Sequence, residues 1–311
     1  MIETVVEVGL PVDENIIIKK NRLTNNLSSD KTKRIAIVTG THGDELEGQY
    51  VCYELIKRIN ENIDNLRGIV DIYPSLNPLG IDSITRGIPM FDLDMNRVFP
   101  GDESGALAEH IAGKVIQDLK GADMCIDIHS SNIFLREIPQ VRINKDNAEE
   151  LIPYAKLLNT DFIWVNESAT VLKATLAHSL NSLGVPTLVV EMGVGMRITK
   201  EYCHQLVDGI FALMNKLGIW NEDNIEVKDP IVCNKGNVAY INSNNSGVFI
   251  PLIEHWENIN EGNVMGKIIN PLTGEILEEI IAPVSGMVFT LREYPVVYKG
   301  SLLARILGGE E

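Results

Sequence analysis

From Lys33 to about Trp220, short apolar runs alternate with stretches of helical period. The runs RIAIVTG, GIVDIYPSLNP, DMCIDIHSS, DFIWVNES and PTLVVEMG are rich in Val and Ile without strict polar alternation. That pattern predicts strands covered on both faces. Amphipathic segments lie between several of them: EGQYVCYELIKRINEN, ALAEHIAGKVIQDLKG and AEELIPYAKLL. Strand and helix in turn predict an α/β sheet with helices on both sides.

The texture changes near Asn221. From there the chain reads as short strands separated by Gly, Pro and Asn turns, with no helical period. It also repeats itself, since SGVFIPL…EGNVMGKI from Ser246 returns as SGMVFTL…KGSLLARI from Ser285. Two similar β-units in tandem predict a pseudo-symmetric sandwich or half-barrel. The expected division falls between Asn221 and Lys228, giving a domain of residues 1–224 and a β-rich one of residues 225–311.

Composition narrows the function classes. The 311 residues are 45% hydrophobic, ordinary for a packed protein, and carry a formal net charge of -16. The acids are spread along the chain, which argues against nucleic-acid or anionic-membrane partners. Cys52, Cys125, Cys203 and Cys233 stand far apart with no CxxC pair, as reduced core cysteines would. No apolar run approaches the ~18 residues of a membrane span, and the first residues lack a basic start before an apolar block. Cytoplasmic localisation is the default expectation.

Ligands of an open parallel sheet bind outside the carboxyl ends of its strands. His42 and Glu45 follow RIAIV, His129 follows CIDI and Glu191 follows TLVV, while a long irregular loop after GIVDIYPSL holds Arg86, Asn96 and Arg97. Alone, His42 is an ordinary turn histidine. Jointly, His42 and Glu45 form a short-spaced pair with His129 as a remote third donor, an arrangement that suits a catalytic zinc with one position left for water. An all-oxygen set suited to Mg²⁺ or Ca²⁺ is absent. Asp44 reads as the cap of the helix that starts near Glu47. Asp127 shares a side of its strand with His129 and is placed to accept that ring's second N–H, or else is an acid neutralised within the sheet.

The motifs GTHGDE, NPLG, TRG, DLDMNRVFPG, DIHSS and VVEMG, in this order, resemble the succinylglutamate desuccinylase/aspartoacylase family, a branch of the zinc carboxypeptidase-like hydrolases. The resemblance covers about Ile35 to Gly195 and, more loosely, the β-rich tail. It implies a mixed sheet flanked by helices and one Zn²⁺ per chain on His42, Glu45 and His129. It further implies Glu191 as general base, Arg86 as stabiliser of the oxyanion, and Asn96 with Arg97 as the holders of a substrate carboxylate. A carboxylate can take a proton from water and return it to the leaving amine. A fixed guanidinium suits the developing anion, and a planar fork suits a carboxylate.

The sequence departs from aspartoacylases ahead of the base. Those enzymes place an arginine about ten residues before the catalytic glutamate, where AHSLNSLGVP offers Asn181. Arg136 and Arg142, in SSNIFLREIPQVRIN, are candidates for a second anion contact, against the commoner reading of exposed arginines on a hairpin. His178 is a further substrate-binding candidate, against a plain helix-surface histidine. The tail resembles biotinyl/lipoyl-type domains, but its INPLTGEILEE turn lacks a carrier lysine, so it is expected to cover the cleft or form an oligomer contact. The leading expectation is a zinc amidohydrolase, a deacylase of small N-acylated amino acids or related amines. A metallocarboxypeptidase acting on peptides is the alternative, and a non-catalytic binding protein is the reading from another class.

Overall fold

The computed structural model describes residues 1–25, 32–166, 173–222, 225–233 and 238–308. Residue 224, on one side of the expected division, and Glu167 and Ser168 of DFIWVNES lie outside the described residues. The elements run β1 (Ile2–Gly9), β2 (Asn15–Thr24), β3 (Arg34–Thr39), α1 (Glu47–Glu61), β4 (Ile69–Tyr73), α2 (Pro78–Ser83), α3 (Leu107–Leu119), β5 (Met124–Ser130), β6 (Leu135–Asn144), α4 (Ala148–Ala155), β7 (Phe162–Asn166), α5 (Leu176–Ser182), β8 (Thr187–Gly193) and α6 (Lys200–Leu217). Strands alone follow: β9 (Ile231–Cys233), β10 (Val238–Asn242), β11 (Gly247–Pro251), β12 (Asn258–Ile259), β13 (Val264–Ile269), β14 (Ile276–Ile281), β15 (Gly286–Arg292), β16 (Val296–Val297) and β17 (Leu302–Gly308).

The main sheet is mixed, in the order β1-β2-β4-β3-β5-β8-β6-β15-β17-β10. Its centre, β4, β3, β5 and β8, is parallel. The unbroken apolar runs have the predicted cause. Ile35 and Ile37 face one core with Leu55 of α1 and Leu206 and Ile210 of α6. Ala36 and Val38 face another with Ile111 and Val115 of α3 and Leu176 of α5. Each strand thus buries both of its faces, and each fully buried Ile or Leu contributes about 1.5–3 kcal/mol relative to exposure. All four cysteines are buried and unpaired. No helix among the described residues is long and apolar enough to cross a membrane.

Two parts of the sheet differ from expectation. The β1-β2 hairpin, which the alternation rules did not pick out, extends the sheet antiparallel to β4. Arg136 and Arg142 do not sit on an exposed hairpin: β6 is one ten-residue strand inside the sheet, antiparallel to both β8 and β15. Its pairing with β8 slips between Glu137 and Gln140, a bulge that puts three steps of β6 against two of β8. Side-chain alternation inverts across such a bulge.

The tandem repeat is visible in the tail. In each copy the two repeated segments form an antiparallel pair, β11 with β13 and β15 with β17. The first pair belongs to a four-stranded sheet and the second to the main sheet. Phe249, Ile268 and Ile280 of the small sheet meet Val288, Leu303 and Ile306 of the large one in a common core. The β15-to-β6 pairing makes the antiparallel tail continuous with the sheet that carries the strand-end residues.

Candidate active site

His42 and Glu45 lie in the loop between β3 and α1, beside the ends of β5 and β8 where His129 and Glu191 stand as cross-strand partners. The glycine of the T-H-G-D-E stretch has a packing reason. A Cβ on Gly43 would lie 2.0 Å from the carbonyl carbon of Gly80, so the loop and the start of α2 meet backbone to backbone. The Gly43 amide donates to the Arg86 carbonyl (3.2 Å), and Asn77, which caps α2 through the Gly80 amide (3.0 Å), donates from Nδ2 to the Gly87 carbonyl (3.0 Å). These contacts bring the loop that carries Arg86 against the His42–Glu45 turn.

The donor atoms converge. His42 Nδ1 lies 2.7 Å from Glu45 Oε1, and His129 Nδ1 lies 3.0 Å from Glu45 Oε2. One ligand atom from each of the three buried residues falls within 4.8 Å of the others. Two imidazoles and a carboxylate, buried and within reach of one point, are a donor set that fits a zinc ion. The far side of each ring meets a carboxylate: His42 Nε2 is 3.0 Å from Asp94 Oδ1, and His129 Nε2 is 3.1 Å from Asp127 Oδ2, though the second contact lacks hydrogen-bond alignment. Such outer carboxylates fix ring orientation and tautomer in metal sites. Burial works against the charge of Asp94, but the His42 contact, helped by Arg86, brings its pKa down to about 2. Asp94 was not among the residues picked from the sequence.

Asp44 does not cap α1. The N-cap position is Leu46, with no side-chain cap, and Asp44 instead accepts the Met196 amide on its backbone carbonyl (2.7 Å). The acid at the helix start is Glu47, buried, its Oε2 accepting the Thr199 amide (2.8 Å) at the start of α6. The loop after Glu191 is thereby tied to the loop that carries His42 and Glu45.

A cavity of about 320 Å³ opens on this cluster and is lined by His42, Arg86, Asn96, Arg97, His129, His178 and Glu191, among others. Arg86 Nη1 donates to Glu45 Oε1 (2.8 Å). Asp94 accepts the Asn96 amide (2.8 Å) and so begins the tight turn of Met95 to Arg97, while Asn96 Oδ1 accepts the Leu176 amide (2.9 Å) and docks the turn on α5. His178, in the first turn of α5, lines the same cavity. Arg136 does not reach it. Its guanidinium lies 6.0 Å from the Tyr202 ring, and it lines a separate cavity with His255 and Glu293. The β6 bulge is the reason, since it places Arg142 six residues on in the cavity beside Glu191 (Nη1 to Oε1, 3.1 Å). Burial pushes the Glu191 carboxyl up, against the opposing charge of Arg142.

Asn181, expected from the resemblance to take the place of an arginine, is engaged by the fold. It donates from Nδ2 to the Thr187 carbonyl (3.2 Å) and accepts the Thr187 amide (2.8 Å), continuing the β8 ladder through a side chain. Tyr294 and Tyr298 are exposed and line no part of the cavity. His204 and His255 also stand outside it, against Tyr50 (3.3 Å) and the Phe289 carbonyl (3.1 Å).

The mixed α/β sheet thus gathers, at its parallel strand ends, a His-Glu-His group that could hold a metal ion, with charged residues around it. Residues 31–217 match the succinylglutamate desuccinylase/aspartoacylase catalytic domain, and the chain belongs to that family. An N-alpha-acetyl-L-2,4-diaminobutyric acid deacetylase of Halomonas elongata is 35% identical over 106 residues. The matched segment spans 33% of this chain and 30% of that relative's length. Among solved structures, a succinylglutamate desuccinylase from Silicibacter sp. TM1040 superposes with a TM-score of 0.85 at 20% identity, covering 99% of this chain and 95% of the other. The product-bound ectoine utilization protein EutE (DoeB) of Ruegeria pomeroyi gives 0.82 at 19% identity, covering 98% and 93%. At these identities the superpositions establish the fold alone.

Proposed function

We propose that the protein is a zinc-dependent deacylase that hydrolyses the amide bond of a small N-acylated amino acid. One observation carries the reading: His42, Glu45 and His129 face a single point, and Glu191, Arg86, Asn96 and Arg97 line the same cavity around it. When bound, zinc lowers the pKa of the attacking water to about 7 and polarises the carbonyl. Glu191 accepts a proton from that water and delivers it to the leaving amine, a task to which a carboxyl raised by burial is suited. Arg86 holds positive charge where the amide oxygen becomes an anion. Asn96 and Arg97 orient the substrate through its carboxylate.

The size of the cavity favours a small molecule over a peptide, because about 300 Å³ is the lower end of small-ligand sites. Family membership supports a deacylase, and the Halomonas elongata relative is by its name a deacetylase of an α-acetylated amino acid. The engagement of Asn181 with Thr187 disfavours acetylaspartate, whose second carboxylate has no guanidinium there. His178 is proposed as a contact to the substrate's side chain or acyl group. The residues from 225 on are read as a β-rich unit of lipoyl-like form, joined to the main sheet through β15 and without a carrier role.

The test is hydrolysis of a panel of N-acetyl and N-succinyl amino acids and of C-terminally free dipeptides, by zinc-loaded and chelated protein. Zinc-dependent release of amine from acyl amino acids is the expected result. Turnover of the dipeptides alone would make the protein a peptidase.

A further inference from the structure

Glu191 is reached by one hydrogen-bond donor among the described residues, and that donor is itself held from behind. Arg142 gives Nη1 to Glu191 Oε1 (3.1 Å) and Nη2 to Glu137 Oε1 (3.2 Å). Glu137 is buried and fully loaded. Its Oε1 also accepts Arg305 Nη1 (2.7 Å), and its Oε2 accepts Thr290 Oγ1 (2.8 Å) and Gln140 Nε2 (2.6 Å). Arg305 touches Thr290 Oγ1 as well (3.3 Å). The Trp164 ring lies 5.7 Å from the guanidinium carbon of Arg142 and 5.7 Å from that of Arg305. With both carboxyls ionised, the order along this chain of contacts is anion, cation, anion, cation, so its formal charge is zero.

The topology gives the chain its meaning. Strand β6 separates β8, which carries Glu191, from β15 and β17, which carry Thr290 and Arg305. The bulge in β6 brings Glu137 and Arg142 to the same side of the sheet although they are five residues apart. The carboxylate of a glutamate has three rotatable bonds to fix before it meets a reacting water, and small displacements of a catalytic group are costly. Arg142 holds Oε1 of Glu191, a residue that lines the cavity. Loss of Arg305 would leave the buried Glu137 with Arg142 as its sole cation, which would draw Arg142 away from Glu191.

We infer that Arg142 is a positioning residue for Glu191, and that Arg305 and Thr290 hold it in place through Glu137, so that the C-terminal strands complete the catalytic centre. The inference rests on the reading of Glu191 as the base. It assigns the tail a part in catalysis without any contact to substrate.

The experiment is a double-mutant cycle on the zinc-loaded protein, with N-acetyl amino acids as the probe substrates. Zinc content and thermal midpoint are measured in each variant. Arg305→Gln is expected to lower kcat by about tenfold or more with KM within about twofold, as a displaced catalytic group does. Arg305→Lys, which keeps the charge on Glu137, is expected to recover part of that loss. In a Glu191→Gln background the residual rate should be insensitive to Arg305→Gln, because the group being positioned is gone. Equal losses in both backgrounds, or a rise in KM alone, would overturn the inference. Parent-level turnover in Glu191→Gln would remove the base reading and the inference with it, whereas a dead Glu191→Gln beside a fully active Arg305→Gln overturns the inference alone. Should Arg305→Gln fail to fold, Thr290→Val removes one donor to Glu137 with little change of shape and makes the same comparison.

Discussion

His42 Nε2 lies 3.0 Å from Asp94 Oδ1, so the ring that turns Nδ1 toward Glu45 is held on its other side by an acid 52 residues away. The same carboxylate oxygen accepts the Asn96 amide and starts the turn that carries Arg97. One side chain therefore fixes both a proposed metal donor and the loop proposed to hold substrate. Asp94→Asn separates the two tasks, since an amide oxygen still caps the turn but the charge opposite His42 is gone. Zinc affinity should fall about 10–100-fold, the usual effect of removing such a partner. Competition with a chromogenic chelator measures it, and unchanged affinity would leave Asp94 as a turn cap only.

The donor set itself makes a simpler prediction. His129 is the one donor brought from β5, and without it a single loop supplies the remaining two. The purified parent should carry about one zinc per chain, as a three-donor site with an open position does. His129→Ala should carry none at the same zinc activity. Elemental analysis after gel filtration decides, and full occupancy would move His129 out of the site.

Gly43 tests whether backbone packing places Arg86. In Gly43→Ala the new methyl carbon falls 2.0 Å from the Gly80 carbonyl carbon and 2.3 Å from its oxygen, and neither is the end of a flexible side chain. The two loops must separate. Overpacking of this kind costs about 1–3 kcal/mol, to be read from chemical denaturation. Activity should fall further than stability alone accounts for, because the Gly43-to-Arg86 backbone contact goes with it. A folded variant with the parent kcat would show that Arg86 finds its place without this contact.

The central strands were legible because burial on both faces writes itself as unbroken Val and Ile, as in Arg34–Thr39 and Thr187–Gly193. His42, Glu45 and His129 were legible because they interrupt or end those runs. Strand β6 was not. Its Glu137, Gln140 and Arg142 are polar, yet they face a buried network, so LREIPQVRIN reads as surface. The choice between Arg136 and Arg142 turned on a bulge, which pairing with β8 creates and no local pattern announces. Asp94 and Asn181 were hidden for a related reason. The partner of the first lies 52 residues away, and that of the second is a backbone strand rather than a ligand. Polar pairing, whether with a distant acid or with a neighbouring strand's backbone, is the part of this site that composition and period leave unwritten.

Glu191→Gln keeps the shape of the side chain and its contact with Arg142 Nη1 through the amide oxygen. It cannot accept a proton. Turnover should fall by roughly 10²–10⁴-fold, the usual contribution of a general base, with zinc content and thermal midpoint near the parent values. Steady-state kinetics on a confirmed substrate measures the loss, and a parent-like kcat would require another base.

Arg97 carries the prediction about substrate class. Its described hydrogen bond is to the Asn96 carbonyl (2.7 Å), whereas Arg86 is engaged by Glu45, and Arg142 by Glu191 and Glu137. Of the three cavity guanidiniums, Arg97 is therefore the one without a carboxylate partner among the described residues. A substrate carboxylate is the group that would complete it, in a bidentate contact that orients as well as attracts. Arg97→Lys keeps the charge and loses the fork. It should reduce kcat/KM for N-acyl amino acids by about tenfold or more, a loss of roughly 1.4 kcal/mol of transition-state stabilisation, and leave the matched carboxamides nearly unchanged. Among the described residues a second substrate carboxylate finds no further unpaired guanidinium in the cavity, since Arg86 and Arg142 are held by carboxylates, so acetylaspartate should be a poorer substrate than acetyl amino acids with neutral side chains. Matched acid and amide substrates, assayed side by side, read the first claim directly. Equal losses on both members of a pair would mean that Arg97 supports the turn or the transition state in general, and the carboxylate assignment would be withdrawn.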